Sequence, residues 1–400
     1  MPASSFSPTA VVDAVTGTGL PPGRLDVVES ISLLQALSEV PEPRRARGRR
    51  HSLQSVLFLA VGAVLAGARS WAAIAQWARH AEQPITVCGP TPHATTFGRV
   101  LAAVDAAALQ RVLTGWVLAR SRARAQQAGD GARPRGENRV VVAVDGKTLR
   151  GVRYGAGEQA KLVTVFDHAH RLVLAQAEVT DGDELAAFPA VLDALPDLRE
   201  TVVTADALHC QRSHADYLHR RGAHYLFTVK GNQPTLQRAL ARLPWAQAPG
   251  LLARHVGHGR TESRSIKVID LDATPEAALF PHGARAIKVV RRRRLPGRGK
   301  PSVKTVYAIT SLGHRDADPR LLADWIRSHW TIENSLHWVR DVTQGEDHSR
   351  VRTGNGPQVM AALRNTAINI IRLRGGTNIA AAHREFSYRP TDVLDALTTA

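Results

Sequence analysis

Two short apolar runs of β-forming residues each end in an aspartate, and this feature constrains the fold most. Residues Val140 to Asp145 read VVVAVD and Thr201 to Asp206 read TVVTAD. Such runs are typical of strands that are buried on both faces of a sheet. Because ligand sites in open α/β sheets collect at the carboxyl ends of strands, the two aspartates are predicted to converge if their strands are neighbours. Each aspartate has the simpler alternative of starting a turn, and Asp145 is followed by Gly146.

The pattern after Arg139 changes from helical to extended and predicts a mixed α/β fold. Three strands are followed by alternating helices and strands, an order typical of a mixed sheet with helices on its faces. Strands are predicted at 140–145, 161–167, 171–179, 201–206 and 224–229, and helices at 184–195 and 211–221. The alternating runs in residues 251–310 differ, and we interpret them as a β-rich insertion rather than a continuation of the same sheet.

The segments on either side of this region are helical. Apolar residues recur at helical spacing in residues 52–67, 71–81 and 97–125, which predicts an all-helical N-terminal domain. Asp318 and Pro319 are typical of a helix start. The predicted organisation is a mobile tail at 1–25, a helical accessory domain at 26–135, a sheet domain at 136–375 with the insertion at about 250–312, and a C-terminal helical segment at 376–400.

The chain is strongly basic. Lys and Arg number 52 against 35 Asp and Glu, a net charge of +17 that favours a polyanionic partner. Two cysteines cannot form a disulfide framework or a four-cysteine zinc site. The N-terminus shows no signal peptide, and the longest apolar stretch, residues 56–68, is shorter than the roughly 20 residues that cross a bilayer. We therefore expect a cytoplasmic protein without a membrane partner.

A third acid, Glu333, lies in the amphipathic segment SHWTIENSLHWVRD. Helical spacing places His329, Trp330 and His337 one turn away, so this face mixes apolar and basic groups around one carboxylate. Mg²⁺ prefers carboxylate oxygens, and three suitably placed acids can hold two ions that promote an in-line displacement at phosphorus. One alternative is an ion pair between Glu333 and Arg340 or Arg327. Another is a different third acid, for which the candidates are Asp341, Glu346 and Asp347.

Several sequence blocks, in order, resemble the bacterial insertion-sequence transposases of the DDE class, and within it the H-repeat-associated group. The blocks are VVAVDGKTLRG (141–151), VTADALHCQR with HYLFTVKGNQ (203–233), GHGRTESR (257–264), HWTIENSLHWVRDV (329–342) and NGPQVMAALRNTAINIIR (355–372). Residues 48–78 are similar to the helical accessory domain of this group. The resemblance covers nearly the whole chain.

The resemblance implies a ribonuclease-H-like catalytic domain in which Asp145, Asp206 and Glu333 bind two Mg²⁺ ions, with Mn²⁺ as a substitute. The implied reaction is cleavage of DNA at transposon ends, followed by attack of the freed 3′-hydroxyl on target DNA. The expected partner is double-stranded DNA, and a homodimer is expected because two ends must be joined together. Two competing functions are a DNA-binding regulator derived from a transposase and a nuclease that cuts without joining.

Further residues are predicted to contact DNA. Lys147 and Lys230 each follow a strand end and are candidates to hold phosphate oxygens, with solvated lysines as the alternative. Arg340 is expected to replace a phosphate-binding lysine of relatives, and the accessory domain is expected to bind the element's ends. The predicted set is Lys147, Lys230, Asn232, Gln233, Arg260, Arg291, Arg292, Arg293, Arg294, Arg298, Lys300, His337, Arg340, Arg44, Arg45, Arg47, Arg49 and Arg50.

Overall fold

The computed structural model describes residues 32–47, 49–81, 90–127, 139–153, 159–257, 260–271, 278–295 and 300–399. The predicted tail at residues 1–25 and the predicted boundary at 135/136 lie outside these ranges. The domain boundaries therefore stay predictions.

The described strands form one mixed sheet. They are β1 (Val141–Arg153), β2 (Gln159–Asp167), β3 (Val173–Glu178), β4 (Val202–Ala205), β5 (His224–Val229), β6 (Gly250–Gly257), β7 (Arg260–Asp270), β8 (Arg285–Arg294) and β9 (Ser302–Thr310). Their order is β3-β2-β1-β4-β5-β9-β8-β7-β6. Strands β1, β2 and β3 are antiparallel, whereas β4 and β5 run parallel to β1. The predicted mixed α/β fold is confirmed.

The β-rich insertion continues this sheet, so the prediction that it is separate is wrong. Strand β9 pairs antiparallel with β5, with Phe227 opposite Ile309. A strand edge left unpaired in the core would carry buried N–H and C=O groups without partners, and β9 supplies those partners. The sequence pattern did not predict this pairing because only one end of β9 is buried, where Ala308 and Ile309 are 2% and 0% exposed. Its other end is polar and exposed.

The described α-helices lie before, between and after these strands. They are α1 (Leu33–Ser38), α2 (Leu53–Leu65), α3 (Trp71–His80), α4 (Ala94–Ala103), α5 (Ala106–Gln127), α6 (Glu184–Asp193), α7 (Arg212–Arg220), α8 (Pro234–Arg242), α9 (Pro319–His329), α10 (Gly356–Leu373), α11 (Ile379–Tyr388) and α12 (Pro390–Thr399). The predicted start of α9 is confirmed, because the Asp318 carboxylate accepts hydrogen bonds from the N–H groups of Arg320 and Leu321. Helix α8 was not predicted.

Helices cover both faces of the sheet. On one face α9 packs Leu322 and Trp325 against Val202 and Leu226. On the other face α10 is buried along most of its length and packs against β3, α2 and α5. One apolar core therefore runs from the N-terminal helices through α10 to the sheet. Burial on both faces explains why β1 and β4 consist of continuous apolar runs.

The segment after α9 differs from the regular helix that the spacing predicts. Helix α9 ends at His329, and the chain continues in two π-helical turns, Glu333–His337 and Val339–Thr343. A π-helical turn contains more residues than an α-helical turn, so side chains that would share an α-helical face are rotated apart. Such turns are frequent at functional sites.

No single helix in the described ranges is long and apolar enough to cross a membrane. Helices α4 and α5 meet the length and composition criteria only as a pair, which is bent by 89°.

Candidate active site

Asp145 and Asp206 lie on neighbouring parallel strands. Val144 pairs with Ala205 in the register of β1 and β4, so each aspartate follows one member of this pair. Because neighbouring strands lie about 4.8 Å apart, the two aspartates are side by side. Asp145 does not start a turn, since β1 continues past it and Asp145 itself pairs with Thr164 of β2. Strand β4 ends before Asp206, whose carboxylate accepts a hydrogen bond of 2.8 Å from the N–H of Leu208 and so begins the following loop.

Glu333 is placed on the first π-helical turn and is exposed. Unlike the competing acids, it has no ion pair within the described ranges. Asp341 pairs with Lys147, Asp347 lies 3.1 Å from Arg150, and Glu346 is buried between two arginines. The alternative pair between Glu333 and Arg340 is absent, because Arg340 binds Glu346. Glu333 is therefore available to bind a metal ion, whereas the charges of the three competing acids are compensated by ion pairs.

The three carboxylates interact electrostatically. Burial, together with the charges of Asp206 and Glu333, raises the pKa of Asp145 to about 7. A carboxyl whose charged form is opposed by two other acids is the arrangement that a divalent cation relieves. Within the described ranges, no three or more His, Cys, Asp or Glu side chains lie close enough together to hold a metal ion. The oxygen donor set fits Mg²⁺ or Mn²⁺ in chemistry.

The rings of His168 and His329 are neutral and connect the elements around the acids. The Thr204 hydroxyl of β4 lies 3.0 Å from a ring nitrogen of His168 and 3.0 Å from one of His329. Burial lowers the pKa of His168 to about 3 and that of His329 to about 4. His329 therefore joins α9 to β4 close to Asp206, without adding a positive charge. This contact was not predicted.

His337, which was predicted to contact DNA, lies beside Asp145. Its Nδ1 is 3.6 Å from Oδ2 of Asp145, and only 12% of its side chain is exposed. Burial lowers the pKa of His337 to about 3, with Arg340 and Lys147 acting in the same direction. His337 is therefore neutral and cannot attract phosphate by charge. Its contact with DNA stays a prediction.

A fourth acid, Glu184, was missed by the sequence analysis. Its carboxylate lies directly against Gly146, at a distance that a side chain at residue 146 would not allow. Its Oε1 is 3.6 Å from Nε2 of His209, a fully buried ring in the loop after Asp206. Contact with His209 lowers the pKa of Glu184, whose charge in turn acts on Asp145. Glu184 thereby links β1 to the loop after β4, and the Gly after Asp145 was the only signal in the sequence.

Arg340 and Lys147 belong to a buried ionic network, so the prediction that they contact DNA phosphates is wrong. Arg340 is 0% exposed and makes two hydrogen bonds of 2.9 Å to the carboxylate of Glu346. Arg364 makes a third at 2.9 Å. The Lys147 side chain is 5% exposed, donates to Asp341 and lies 3.9 Å from Glu346. Buried charges must be paired, and here the pairs tie the π-helical segment to β1 and α10.

Lys230, Asn232 and Gln233 follow β5 at the same edge of the sheet. Lys230 is exposed, and its charge acts on His329, which places it beside the site. The side-chain amide of Asn232 donates to the carbonyl of Ala207, and that of Gln233 donates to the carbonyl of Cys210 at 2.9 Å. These two amides therefore stabilise the loop after Asp206, and their contact with DNA stays a prediction. The phosphate contact of Lys230 stays a prediction.

The predicted basic loop is the end of strand β8. Tyr307 of β9 pairs with Val229 of β5 on one side and with Lys288 of β8 on the other. The four arginines that end β8 therefore extend past the end of β5, where Lys230 lies. Arg291 is directly opposite Arg264 on one side and Lys304 on the other. Like charges opposite each other destabilise a sheet, and a polyanion would relieve the repulsion. The other members of this end are Arg292, Arg293 and Arg294, and Lys300 is exposed nearby in sequence.

The remaining residues that were predicted to contact DNA differ in their exposure to solvent. Arg44 is half-buried and held by Glu42 at 2.7 Å and by the carbonyl of His51 at 2.8 Å, so it stabilises its own loop. Four predicted residues nearby in the chain are exposed. The exposed residues are Arg45, Arg47, Arg49 and Arg50, and their role in DNA binding stays a prediction. Arg298 and the side chain of Arg260 lie outside the described residues.

The chain belongs to the DDE transposase family. The family model described as "Transposase DDE domain" matches residues 136–370, which contain the sheet and all three acids. A second model, described as "DDE_Tnp_1-associated", matches residues 34–117, which contain helices α2 to α4, nearly all of α1 and about half of α5. The family resemblance seen in the sequence is confirmed.

Individual relatives extend this match along most of the chain. A protein from Escherichia coli O157:H7 named "Putative transposase YncI" is 30% identical over 86% of this chain and 89% of its own length. An Escherichia coli K12 protein named "H repeat-associated putative transposase YhhI" is 29% identical over 86% of this chain and 91% of its own. A solved synaptic complex of piggyBac transposase with hairpin DNA aligns with a TM-score of 0.42 and 9% identity, covering 94% of this chain and 82% of that chain.

Proposed function

We propose that this DDE transposase cleaves DNA at the ends of its element and joins the freed 3′-hydroxyl ends to target DNA, with Mg²⁺ as cofactor and Mn²⁺ as a substitute. The proposal is supported by two observations: Asp145 and Asp206 follow paired residues of neighbouring strands, and the charges of Asp206 and Glu333 both act on Asp145. The net charge of +17 favours DNA as the partner. Purely structural carboxylates would be paired, as Asp341, Asp347 and Glu346 are.

The proposed roles follow from the placement of each side chain. Asp145, Asp206 and Glu333 would hold the metal. When bound, it would activate the attacking oxygen and stabilise the leaving oxygen of an in-line displacement. Lys230 holds a phosphate oxygen at the edge of the site, and the arginines that end β8 attract the DNA alongside. Hydrolysis and joining use the same site because both are displacements at phosphorus, with water or a 3′-hydroxyl as the nucleophile.

We propose double-stranded DNA as the partner, through the element's terminal repeats and the target. Two ends must be joined to one target, so we propose that two copies of the chain act together on DNA. The exposed arginines after α1, at positions 45, 47, 49 and 50, are proposed to bind the terminal repeats.

The experiment that tests this function supplies pre-cleaved ends with a free 3′-hydroxyl together with a target plasmid and Mg²⁺. Joined products support the proposal, whereas cutting of uncleaved ends without joining would indicate a nuclease. Binding without either reaction would indicate a regulator. The substitutions Asp145→Asn, Asp206→Asn and Glu333→Gln are expected to abolish both reactions and to retain DNA binding.

The matched control is Asp347→Asn, which removes a competing acid that is paired with Arg150. This variant is expected to retain joining. If Glu333→Gln retained joining and Asp347→Asn lost it, the assignment of the third acid would be wrong.

A further inference from the structure

His337 reaches the three acids from the π-helical segment. It is the last residue of the turn that begins at Glu333, and its Nδ1 lies 3.6 Å from Oδ2 of Asp145. The other oxygen of Asp145, Oδ1, accepts a hydrogen bond of 3.0 Å from the N–H of Gly146. The charge of Glu333 also acts on Asp145. A single turn therefore brings a carboxylate and an imidazole ring to the same aspartate.

Hydrogen bonding within the described residues does not explain the burial of His337. Only 12% of its side chain is exposed, and its Nε2 is buried without a hydrogen-bond partner in this part of the chain. The rings of His168 and His329 differ, because each has a nitrogen 3.0 Å from the hydroxyl of Thr204. A buried polar group without a partner costs stability, and in native proteins such groups often mark a catalytic role or a bound ion. The fold by itself therefore gives no reason for a histidine at this position.

The distance between His337 and Asp145 fits two ligands of one ion better than a hydrogen bond. Hydrogen bonds between nitrogen and oxygen are about 2.7–3.2 Å long, and 3.6 Å exceeds this range. Two ligand atoms that lie about 2.1 Å from one octahedral ion are about 3 Å apart at right angles, and farther apart at wider angles. A carboxylate oxygen and a ring nitrogen can each direct a lone pair to a cation that lies between them.

We propose that His337 is a metal ligand beside Asp145, and that its ring nitrogen raises the affinity of the site for Mn²⁺ relative to Mg²⁺. Mg²⁺ prefers oxygen ligands, whereas imidazole nitrogen binds first-row transition ions. The three carboxylates offer oxygen alone, so the nitrogen of His337 changes the balance between the two ions. This inference rests on the proposed function, because it assumes that an ion binds at the acids.

Pulsed electron paramagnetic resonance of Mn²⁺ bound to the full chain, without DNA, tests the inference. A nitrogen bonded to Mn²⁺ modulates the electron spin echo, and labelling the histidines with the heavier nitrogen isotope changes the modulation frequency. The wild type is expected to show the signal and the isotope shift. His337→Asn is expected to lose both and to bind Mn²⁺ roughly tenfold or more weakly, since loss of a residue that only supports a metal ligand already costs about 10–100-fold. The affinity for Mg²⁺, measured by calorimetry, should fall less.

His383→Asn is the matched control, because His383 is also buried and its Nδ1 lies 2.8 Å from the carbonyl of Leu65. This variant removes a buried ring away from the acids, so it should keep the nitrogen signal and the ratio of Mn²⁺ to Mg²⁺ affinity. The inference is overturned if the wild type binds no Mn²⁺, or if bound Mn²⁺ shows no histidine nitrogen. It is also overturned if the signal survives His337→Asn, or if this substitution weakens both ions equally. Joining of pre-cleaved ends in Mg²⁺ tests the proposed function separately, so a wild type that joins ends without a nitrogen signal contradicts only the inference.

Discussion

The substitution Arg340→Met should destabilise the fold, because Arg340 is a structural cation rather than a DNA contact. Methionine keeps most of the side-chain volume, so the main loss is the pair with the buried Glu346 carboxylate. Breaking a buried ion pair by removing one partner costs about 3–5 kcal/mol. Glu346 keeps Arg364 at 2.9 Å and Lys147 at 3.9 Å, so we expect the lower end of this range.

The converse substitution, Glu346→Gln, should cost more. Burial opposes the charge of Glu346, yet Arg340 and Arg364 outweigh it and lower its pKa to about 2. Replacing this carboxylate leaves two buried guanidinium groups without a counter-charge, so we expect the upper end of about 3–5 kcal/mol or more. The expected order of stability is therefore wild type, then Arg340→Met, then Glu346→Gln.

The assay is urea-induced unfolding followed by circular dichroism and by tryptophan fluorescence, with coincident transitions as the check that one free energy describes the process. DNA affinity is measured in parallel as a function of salt. The structural role of Arg340 would be refuted if Arg340→Met had a free energy of unfolding within about 1 kcal/mol of the wild type. A salt slope lowered by about 0.9, the value for one lost phosphate contact, would then assign Arg340 to DNA.

Three further predictions concern the acids and the basic strand end. Gly146→Ala should displace the end of the Glu184 side chain at a cost of about 0.5–1.5 kcal/mol for the changed rotamer, and a second substitution, Glu184→Ala, should recover part of the loss. A neutral Gly146→Ala in urea unfolding would contradict the contact. Because the pKa of Asp145 is raised to about 7, its carboxyl is protonated below pH 7, and Mg²⁺ affinity should fall about tenfold per pH unit there. Calorimetry should detect a proton released on Mg²⁺ binding, and Asp145→Asn should abolish this release. A Mg²⁺ affinity that does not depend on pH would count against the prediction. Arg291→Gln should lower the salt slope of DNA binding by about 0.9 without loss of folding stability. The control variant, Arg199→Gln, lies at the opposite end of the strands and should leave the slope unchanged. Equal slopes for both variants would show that Arg291 does not contact DNA.

Local sequence patterns were sufficient to predict those structural elements that are determined by residues close together in the chain. The continuous apolar runs before Asp145 and Asp206 predict strands buried on both faces, and β1 and β4 are such strands. The aspartate and proline before α9 predict its start, because a cap is made within three residues. The family resemblance follows from the same blocks, since the residues that form a strand end and its adjacent acid are contiguous.

Only the tertiary structure decided which charged residues face solvent and which are paired in the core. Lys147 and Arg340 have the sequence signature of phosphate ligands, yet both side chains are buried and paired. Lys147 pairs with the distant Asp341, and Arg340 binds Glu346 six residues later and Gln176 of β3. Glu184 has no such signature, and it joins the site only because α6 begins against a glycine of β1. The insertion likewise looks separate until β9 pairs with β5. The physical reason is the same in each case: burial and charge compensation depend on contacts between residues far apart in the chain, which local sequence patterns do not specify.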